Sequence, residues 1–155
     1  MVGKDVGKQL EIDKITVDFT ALGGKASVVV DKDIQGDSWY SGSVIALKEL
    51  GLISGYADNS FKPNKPITRE ELATLLVKAY TYSMNMDLEK IPEYDTQSFN
   101  DMSQVATWAQ ASVKAAKALG LVTGNGDNQY LPQKTATRAE MARMLVMFLE
   151  KTGEY

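Results

Sequence analysis

The chain contains no cysteine and no histidine among its 155 residues. Their absence excludes thiol nucleophiles, imidazole bases, disulfide bonds and the usual ligand sets of zinc sites. It also lacks any run of about eighteen apolar residues, the length that a membrane-spanning helix needs, and its first residues, Met1 to Lys8, have no apolar segment typical of a signal peptide. We therefore expect no metal, no cofactor and no membrane insertion, and an export signal of a secreted protein would lie upstream.

The charge balance is weakly acidic, with 17 basic against 20 acidic side chains and a net charge of −3. Such a balance provides no general attraction for nucleic acid, so any anion site must be local. The spacing of the carboxylates picks out no acid pair for hydrolysis, and we expect the protein not to be an enzyme. Because 44% of the residues are hydrophobic, the chain can bury a core.

One short motif occurs twice. Ile67–Glu71 reads ITREE and Ala136–Glu140 reads ATRAE, sixty-nine residues later. A threonine followed three residues on by glutamate, just before an apolar run, is a capping box, so a helix is predicted to begin at Thr68 and at Thr137. The arginine that follows each threonine is unexpected, because a cation lies unfavourably at the positive end of a helix dipole.

The same offset relates many other positions. Each copy reads as helix, loop and helix, with apolar residues at helical spacing, and a glycine in the left-handed conformation is expected after the first helix at Gly51. Repeats of this size usually bury their apolar faces by stacking on one another. The matching pairs are Trp39 and Trp108, Gly51 and Gly120, Gly55 and Gly124, Asp58 and Asp127, Phe61 and Tyr130, and Pro63 and Pro132.

The first part of the chain has a different pattern. Ile15, Val17 and Phe19 alternate with polar residues, Gly23 and Gly24 supply a turn, and a β-branched run follows up to residue 30. This predicts a β-hairpin. Since an isolated hairpin is marginally stable in water, the segment must pack on the rest of the chain, pair with strands outside this sequence, or be the tail of an upstream β module, and we expect the last.

The repeated positions resemble those of the S-layer homology (SLH) repeat. That pattern runs from an aromatic residue and an aspartate through a tryptophan, a Gly-apolar-x-Gly turn, and an aspartate loop ending in an aromatic residue and proline, to Thr-Arg-Ala-Glu. The first copy departs from it at the start, where Val30–Asp33 is the nearest match, and at Glu70, which replaces the usual alanine. The matching residues are Trp39, Gly51–Gly55, Asp58, Phe61, Pro63 and Thr68–Glu71 in the first copy, and Phe99, Asp101, Trp108, Gly120–Gly124, Asp127, Tyr130, Pro132 and Thr137–Glu140 in the second.

With this resemblance, the predicted fold is mainly α, with two helix-loop-helix SLH repeats packed as a helical bundle after an N-terminal β-hairpin. The expected segments are 1–32 for the hairpin, 33–86 for the first repeat, 87–98 for a linker and 99–151 for the second repeat. SLH repeats usually come in threes, with ligand grooves between neighbours.

The resemblance also implies a function and a location. It implies a noncatalytic module that anchors an exported protein to secondary cell-wall polysaccharide, often a pyruvylated one, on the bacterial surface. The alternative is a helical module for protein interaction or self-assembly, which completes its bundle with another chain and would form a homo-oligomer. Six residues are candidates for carbohydrate binding: Trp39, Gly55, Arg69, Trp108, Gly124 and Arg138.

Each candidate also has a structural interpretation. The arginines, beside free helix amides, would suit a carboxylate, or they form structural ion pairs. The tryptophans are platforms for a sugar ring or core residues. The glycines serve the backbone conformation and also let a ligand approach. The pairs Asp58-Asn59 and Asp127-Asn128 could suggest calcium, but two such residues fall short of its six to eight ligands, so turns closed by Asx hydrogen bonds are expected.

Overall fold

The structure is a computed structural model that describes the strands Ile15–Phe19 and Gly24–Val28, residues 31–35 and residues 37–154. The described chain is mainly helical, as the sequence predicts. Its α-helices are α1 (Ser41–Glu49), α2 (Arg69–Ser83), α3 (Gln110–Ala118) and α4 (Arg138–Thr152). Short 3-10 turns cover Leu88–Lys90, Met102–Gln104 and Thr107–Ala109. Within these residues, no helix combines the length and the apolar character that crossing a membrane requires.

The two strands, β1 (Ile15–Phe19) and β2 (Gly24–Val28), pair antiparallel, with Ile15 opposite Val28 and Phe19 opposite Gly24. The turn was predicted at Gly23 and Gly24, but Gly24 is the first residue of β2, and residues 20–23 lie outside the described residues. That this segment ends an upstream module stays a prediction.

The chain divides into two compact units, Met1–Lys65 and Pro66–Tyr155. The second unit is built on the contact of α2 with α3. Alanines on α3 leave room for the larger side chains of α2, and Phe99 stacks on Tyr130 with ring centroids 5.0 Å apart. Thus the second helix of the first sequence repeat shares a core with the first helix of the second repeat. The buried residues of the two helices are Leu72, Ala73, Leu76, Val77 and Tyr80 on α2, and Val113, Ala115 and Ala116 on α3.

Both predicted capping boxes are confirmed. The hydroxyl of Thr68 accepts from the amide of Glu71 at 3.3 Å, and the Glu71 carboxylate accepts from the Thr68 amide at 2.8 Å. The corresponding distances for Thr137 and Glu140 are 3.1 and 2.8 Å. Local hydrogen bonding therefore places the arginine at the first position of α2 and of α4.

The first helix of each copy ends in the same way. Gly51 follows α1 with φ +69°, as predicted, and Gly120 follows α3 with φ +73°. The next amide, of Leu52 or Leu121, donates 2.9 Å back to the carbonyl of Leu47 or Ala116. This is the pattern of a Schellman motif, in which a side chain on the left-handed residue would be strained.

The loop of each copy is held by one aspartate. Asp101 accepts from the amides of Tyr130 and Leu131 at 2.7 and 2.8 Å. Asp33 accepts from the equivalent amides, of Phe61 and Lys62, both at 2.7 Å. Asp33 is therefore the counterpart of Asp101, at an offset of sixty-eight instead of sixty-nine, and the constant offset holds only from the tryptophan onward.

This shift places Asp31 at the position of Phe99, the aromatic residue at the start of the second copy. Asp31 is buried and lies 2.6 Å from the ammonium group of Lys48. An ion pair thus replaces a stacked ring at the start of the first copy, which explains why the sequence shows no aromatic residue there.

Candidate functional site

The second unit contains a cleft of about 250 Å³ where the starts of α2 and α4 face the loop that follows α3. Two of the six predicted site residues, Arg69 and Gly124, lie in its wall. The other four do not line it. The lining residues are Arg69, Leu121, Val122, Thr123, Gly124, Asn125, Gln129, Tyr130, Leu131, Lys134, Glu140, Arg143 and Met144.

The start of α2 is closed by backbone of the second copy. The amide of Arg69 donates to the carbonyl of Lys134 at 2.9 Å, and the amide of Glu70 donates to that of Pro132 at 3.1 Å. These are the first-turn amides that a helix leaves without internal partners. The expectation of free helix amides beside Arg69 is therefore wrong, because a loop sixty residues away in the sequence satisfies them.

The guanidinium of Arg69 is held on three sides. Its Nε donates to the carbonyl of Tyr130 at 2.8 Å, and Nη2 donates to that of Thr123 at 3.2 Å. Nη1 lies 2.5 Å from the carboxylate of Glu140, and the arginine side chain is 14% exposed. The structural ion pair is thus present, and it presents a fixed guanidinium to the cleft.

Tyr130 contacts the same arginine through its ring and its hydroxyl. Its ring lies 4.9 Å from the guanidinium carbon of Arg69, and its hydroxyl donates to the Arg69 carbonyl at 2.6 Å. Burial raises the pKa of the Tyr130 hydroxyl well above its ordinary value, so the group remains a neutral donor. The position of Arg69 therefore depends on second-copy residues through both its backbone and its side chain.

Glu70 has a structural role that the sequence did not predict. Its carboxylate is buried and accepts from the amide of Ala106 at 3.0 Å and from the side-chain amide of Gln133 at 2.5 Å. It joins the first turn of α2 to two segments of the second copy. The family pattern marks Glu70 only as a departure from alanine, and no local signal indicates its partners.

The cleft has a positive balance. Arg69, Lys134 and Arg143 contribute three positive charges against the single carboxylate of Glu140, a local sum of +2. The amide of Thr137, together with the guanidinium of Arg69, lowers the pKa of Glu140 despite desolvation, so this carboxylate is ionised. The cleft can therefore receive an anionic group although the whole chain is acidic.

Arg143 extends the cationic wall. It lies one helical turn beyond Glu140 on α4, and its Nη1 donates to the hydroxyl of Thr123 at 3.3 Å. Arg143 and Lys134 were not predicted as site residues, because neither lies in the repeated Thr-Arg motif or in the other motifs of the family pattern. Their counterparts in the first copy are Thr74 and Lys65, so a search for repeated charges would have found only Lys134.

Gly55 and Gly124 need their small size for a reason other than the one predicted. Neither has a positive φ. A Cβ on Gly55 would lie 2.8 Å from the carbonyl oxygen of Ser60 and would overlap the carboxylate of Asp31. A Cβ on Gly124 would lie 3.1 Å from the backbone of the residues that follow Asp127. The glycines permit close packing inside each loop, so the expectation of a special backbone conformation is wrong.

The tryptophans are not core residues. Trp39 is 93% exposed and Trp108 is 59% exposed. Trp39 precedes α1 and meets Tyr40 edge-on at 5.5 Å, whereas Trp108 lies in the 3-10 turn before α3. Burial in the core is thus excluded for both tryptophans, and their side chains are accessible to a ligand.

The expected closing hydrogen bonds are present at Asp58 but are made by a different residue in the second copy. Asp58 accepts from the amide of Ser60 at 3.2 Å and from its hydroxyl at 2.5 Å. In the second copy Asn125 closes the loop, since its side chain accepts from the amides of Asp127 and Gln129 at 3.0 and 2.9 Å. In the described part of the chain, no cluster of three acidic side chains could hold a metal ion.

The repeated boxes, loops and caps now have a counterpart among known proteins. The family model for the S-layer homology domain matches residues 31–73 and 98–142. The chain belongs to the S-layer homology domain family. The two matched segments confirm the two predicted SLH repeats.

Several curated proteins resemble this SLH chain. It is 35% identical over 114 residues to the surface-layer 125 kDa protein of Lysinibacillus sphaericus, covering 72% of the chain and 9% of that protein. It is 32% identical over 129 residues to the cellulosome-anchoring protein of Acetivibrio thermocellus, covering 83% of the chain and 28% of that protein. An endoglucanase of a Bacillus species is 34% identical over 118 residues, or 76% of the chain and 12% of the enzyme.

The SLH chain therefore spans only a small part of each of these relatives. The family and its relatives locate the chain outside the cell, at the bacterial surface, and support a role in surface anchoring. The similarity to the endoglucanase concerns only a small part of that enzyme, so it carries no argument for catalysis here.

Proposed function

We propose that the chain is a noncatalytic anchoring module that holds a surface protein on an anionic secondary cell-wall polysaccharide. The observation that carries this proposal is the local charge of +2 in a cleft of a chain whose net charge is −3. A weakly acidic surface does not gather anions in general, so a concave cationic site indicates a particular anionic ligand.

Within the cleft, the residues take different roles. Arg69 offers a planar guanidinium in a fixed position, because three acceptors already hold it. Lys134 and Arg143 are exposed and supply the charge that a carboxylate would meet. A carboxylate on a sugar, such as that of a pyruvyl ketal, matches the forked donors of arginine better than a neutral hydroxyl does.

The remaining predicted residues extend the proposal beyond the cleft. The open faces of Trp39 and Trp108 serve as platforms for further sugar rings, with Gly55 and Arg138 as additional contacts. The two repeats form a helical bundle, and the N-terminal strands belong to an upstream β module.

The test compares binding to purified wall sacculi before and after chemical removal of the secondary polymer. Wild-type chain should sediment with intact sacculi and remain in solution with stripped ones. The double variant Lys134→Ala, Arg143→Ala should lose at least about tenfold in affinity, since it removes two charge-assisted contacts. Lys90→Ala is the matched control, because Lys90 is an exposed lysine outside the cleft.

Two results would contradict this function. Equal retention on stripped sacculi would remove the secondary polymer as the ligand. Equal loss from the cleft variant and the Lys90→Ala control would remove the cleft as the site. Mild acid treatment of the polymer, which hydrolyses ketals, tests the pyruvyl group separately, and unchanged binding afterwards would show that another anionic group is recognised.

A further inference from the structure

The helix α4 exposes the face that its counterpart α2 buries. Five apolar residues of α2 are at most 9% exposed, and all five lie in the core formed with α3. Their counterparts on α4 are all exposed, with values from 38% to 44% for the four large ones. The pairs are Leu72 and Met141, Ala73 and Ala142, Leu76 and Leu145, Val77 and Val146, and Tyr80 and Leu149.

The first repeat shows the complementary difference. Five apolar residues on α3 and in the turn after it are buried, whereas their counterparts on α1 and in the turn after α1 are only partly buried. The pairs are Ala115 and Ala46, Ala116 and Leu47, Leu119 and Leu50, Leu121 and Leu52, and Val122 and Ile53. Of the residues equivalent to the α2–α3 contact, those on α4 are thus exposed and those on α1 and the turn after it are partly exposed.

The polar part of this contact is open at α4 as well. The first two amides of α2 donate to backbone carbonyls of the following repeat, but the equivalent amides of Arg138 and Ala139 meet no acceptor within residues 31–35 and 37–154. The side chain of Arg138 is exposed and makes no ion pair with the described residues, whereas Arg69 is paired with Glu140. Helix amides without acceptors carry partial positive charge.

We propose that α4 docks onto the first repeat of a second copy of this chain, head to tail. The docking repeats the α2–α3 contact between copies, so it continues an interface already present in the second unit. In that docking, the first-turn amides of α4 would take the place that those of α2 have in the second unit. The counterparts of the capping carbonyls are those of Lys65 and Pro63.

The association would also complete a second ligand cleft. In the second unit, the cleft combines the arginine of one repeat with the Thr123-Gly124 loop of the next. Between copies, Arg138 would face the equivalent loop of the partner, which contains Ser54 and Gly55. Arg138 and Gly55, two predicted site residues that do not line the cleft of the second unit, would then line this second cleft together. This consequence rests on the proposed polymer binding, whereas the association itself does not.

The test of association is sedimentation velocity of the full chain from micromolar to millimolar concentration, without polymer. The weight-average mass should rise above that of the monomer as concentration increases, because a head-to-tail contact closes into a ring or extends into a filament. Leu145→Glu should weaken association by at least about tenfold, since it charges the centre of the open face. Met84→Glu, which charges an apolar residue of similar exposure after α2, should have no effect.

A mixing experiment separates head-to-tail docking from a contact between two α4 helices. The Leu145→Glu chain has an unchanged first repeat, so labelled variant should still bind α4 of a wild-type chain and end the assembly there. Circular dichroism checks that each variant is folded. A strict monomer up to millimolar concentration, an unaffected Leu145→Glu variant, or failure of that variant to join wild type would each overturn the proposal, and none of these results depends on polymer binding.

Discussion

Replacing Glu70 by alanine tests whether a buried carboxylate joins α2 to the second repeat. The change removes two hydrogen bonds, to the Ala106 amide and to the Gln133 side chain. Hydrogen bonds to a charged group contribute about 1.5–3 kcal/mol each, and burying the carboxylate offsets part of that sum. Leaving the Ala106 amide without an acceptor costs about 1–3 kcal/mol more if water cannot reach it. We expect Glu70→Ala to lower the free energy of unfolding by about 2–4 kcal/mol.

Urea-induced unfolding can be followed in the second unit alone. In a Trp39→Phe background, Trp108 is the single remaining tryptophan, and it lies two residues from the amide that loses its acceptor. Trp39 is 93% exposed, so its replacement should change stability little. The fluorescence of Trp108 then reports the unfolding midpoint and slope for each variant.

Two controls define the outcome that would refute the reasoning. Glu150→Ala removes an exposed glutamate of α4 and should change the free energy of unfolding by no more than about 0.5 kcal/mol. A double-mutant cycle with Gln133→Ala should give a coupling of about 0.5–3 kcal/mol, because the two side chains are in contact. A loss for Glu70→Ala as small as that for Glu150→Ala would mean that this carboxylate does not hold the repeats together.

Two further predictions concern the loop packing and the pH dependence. Gly55→Ala should destabilise the first unit by about 1–3 kcal/mol, because its Cβ would meet Ser60. Thermal unfolding measures the loss, and Gly126→Ala, with open space at its Cβ, is the control that should be near neutral. Glu140 has a lowered pKa in the folded chain, so its stabilisation is complete above its unfolded value and is lost as the pH falls through the folded one. The stability difference between wild type and Glu140→Gln should therefore shrink in urea titrations from pH 6 to pH 3, and a constant difference would contradict this role.

Local features of the chain could be predicted from the sequence. The capping boxes at Thr68 and Thr137 and the left-handed glycine after α1 depend on residues within one or two turns, where side-chain chemistry decides the conformation. The repeat could be predicted too, because comparing the sequence with itself is enough to find the constant spacing of sixty-nine residues.

Features that depend on distant partners could not be predicted. Nothing near Arg69 in the sequence indicates that a carbonyl of residue 134 caps its amide. The exposure of Trp39 could not be inferred either, since a tryptophan before a helix is compatible with core or surface. The shifted counterpart Asp33 became visible only through the amides that it binds.

The pairing of α2 with α3 means that the sequence repeat and the folding unit are out of phase by one helix. By sequence, α2 closes the first repeat, but by packing it belongs to Pro66–Tyr155. A cut placed after residue 86 would strip α2 of both the core and the carbonyls that cap it, whereas a cut before Pro66 would leave that pairing whole. Gene fusions and fragment designs should therefore join such modules ahead of the capping box at Thr68. In an array of such repeats, the second helix of each repeat would pack on the first helix of the next, so the second helix of the last repeat would keep an exposed apolar face.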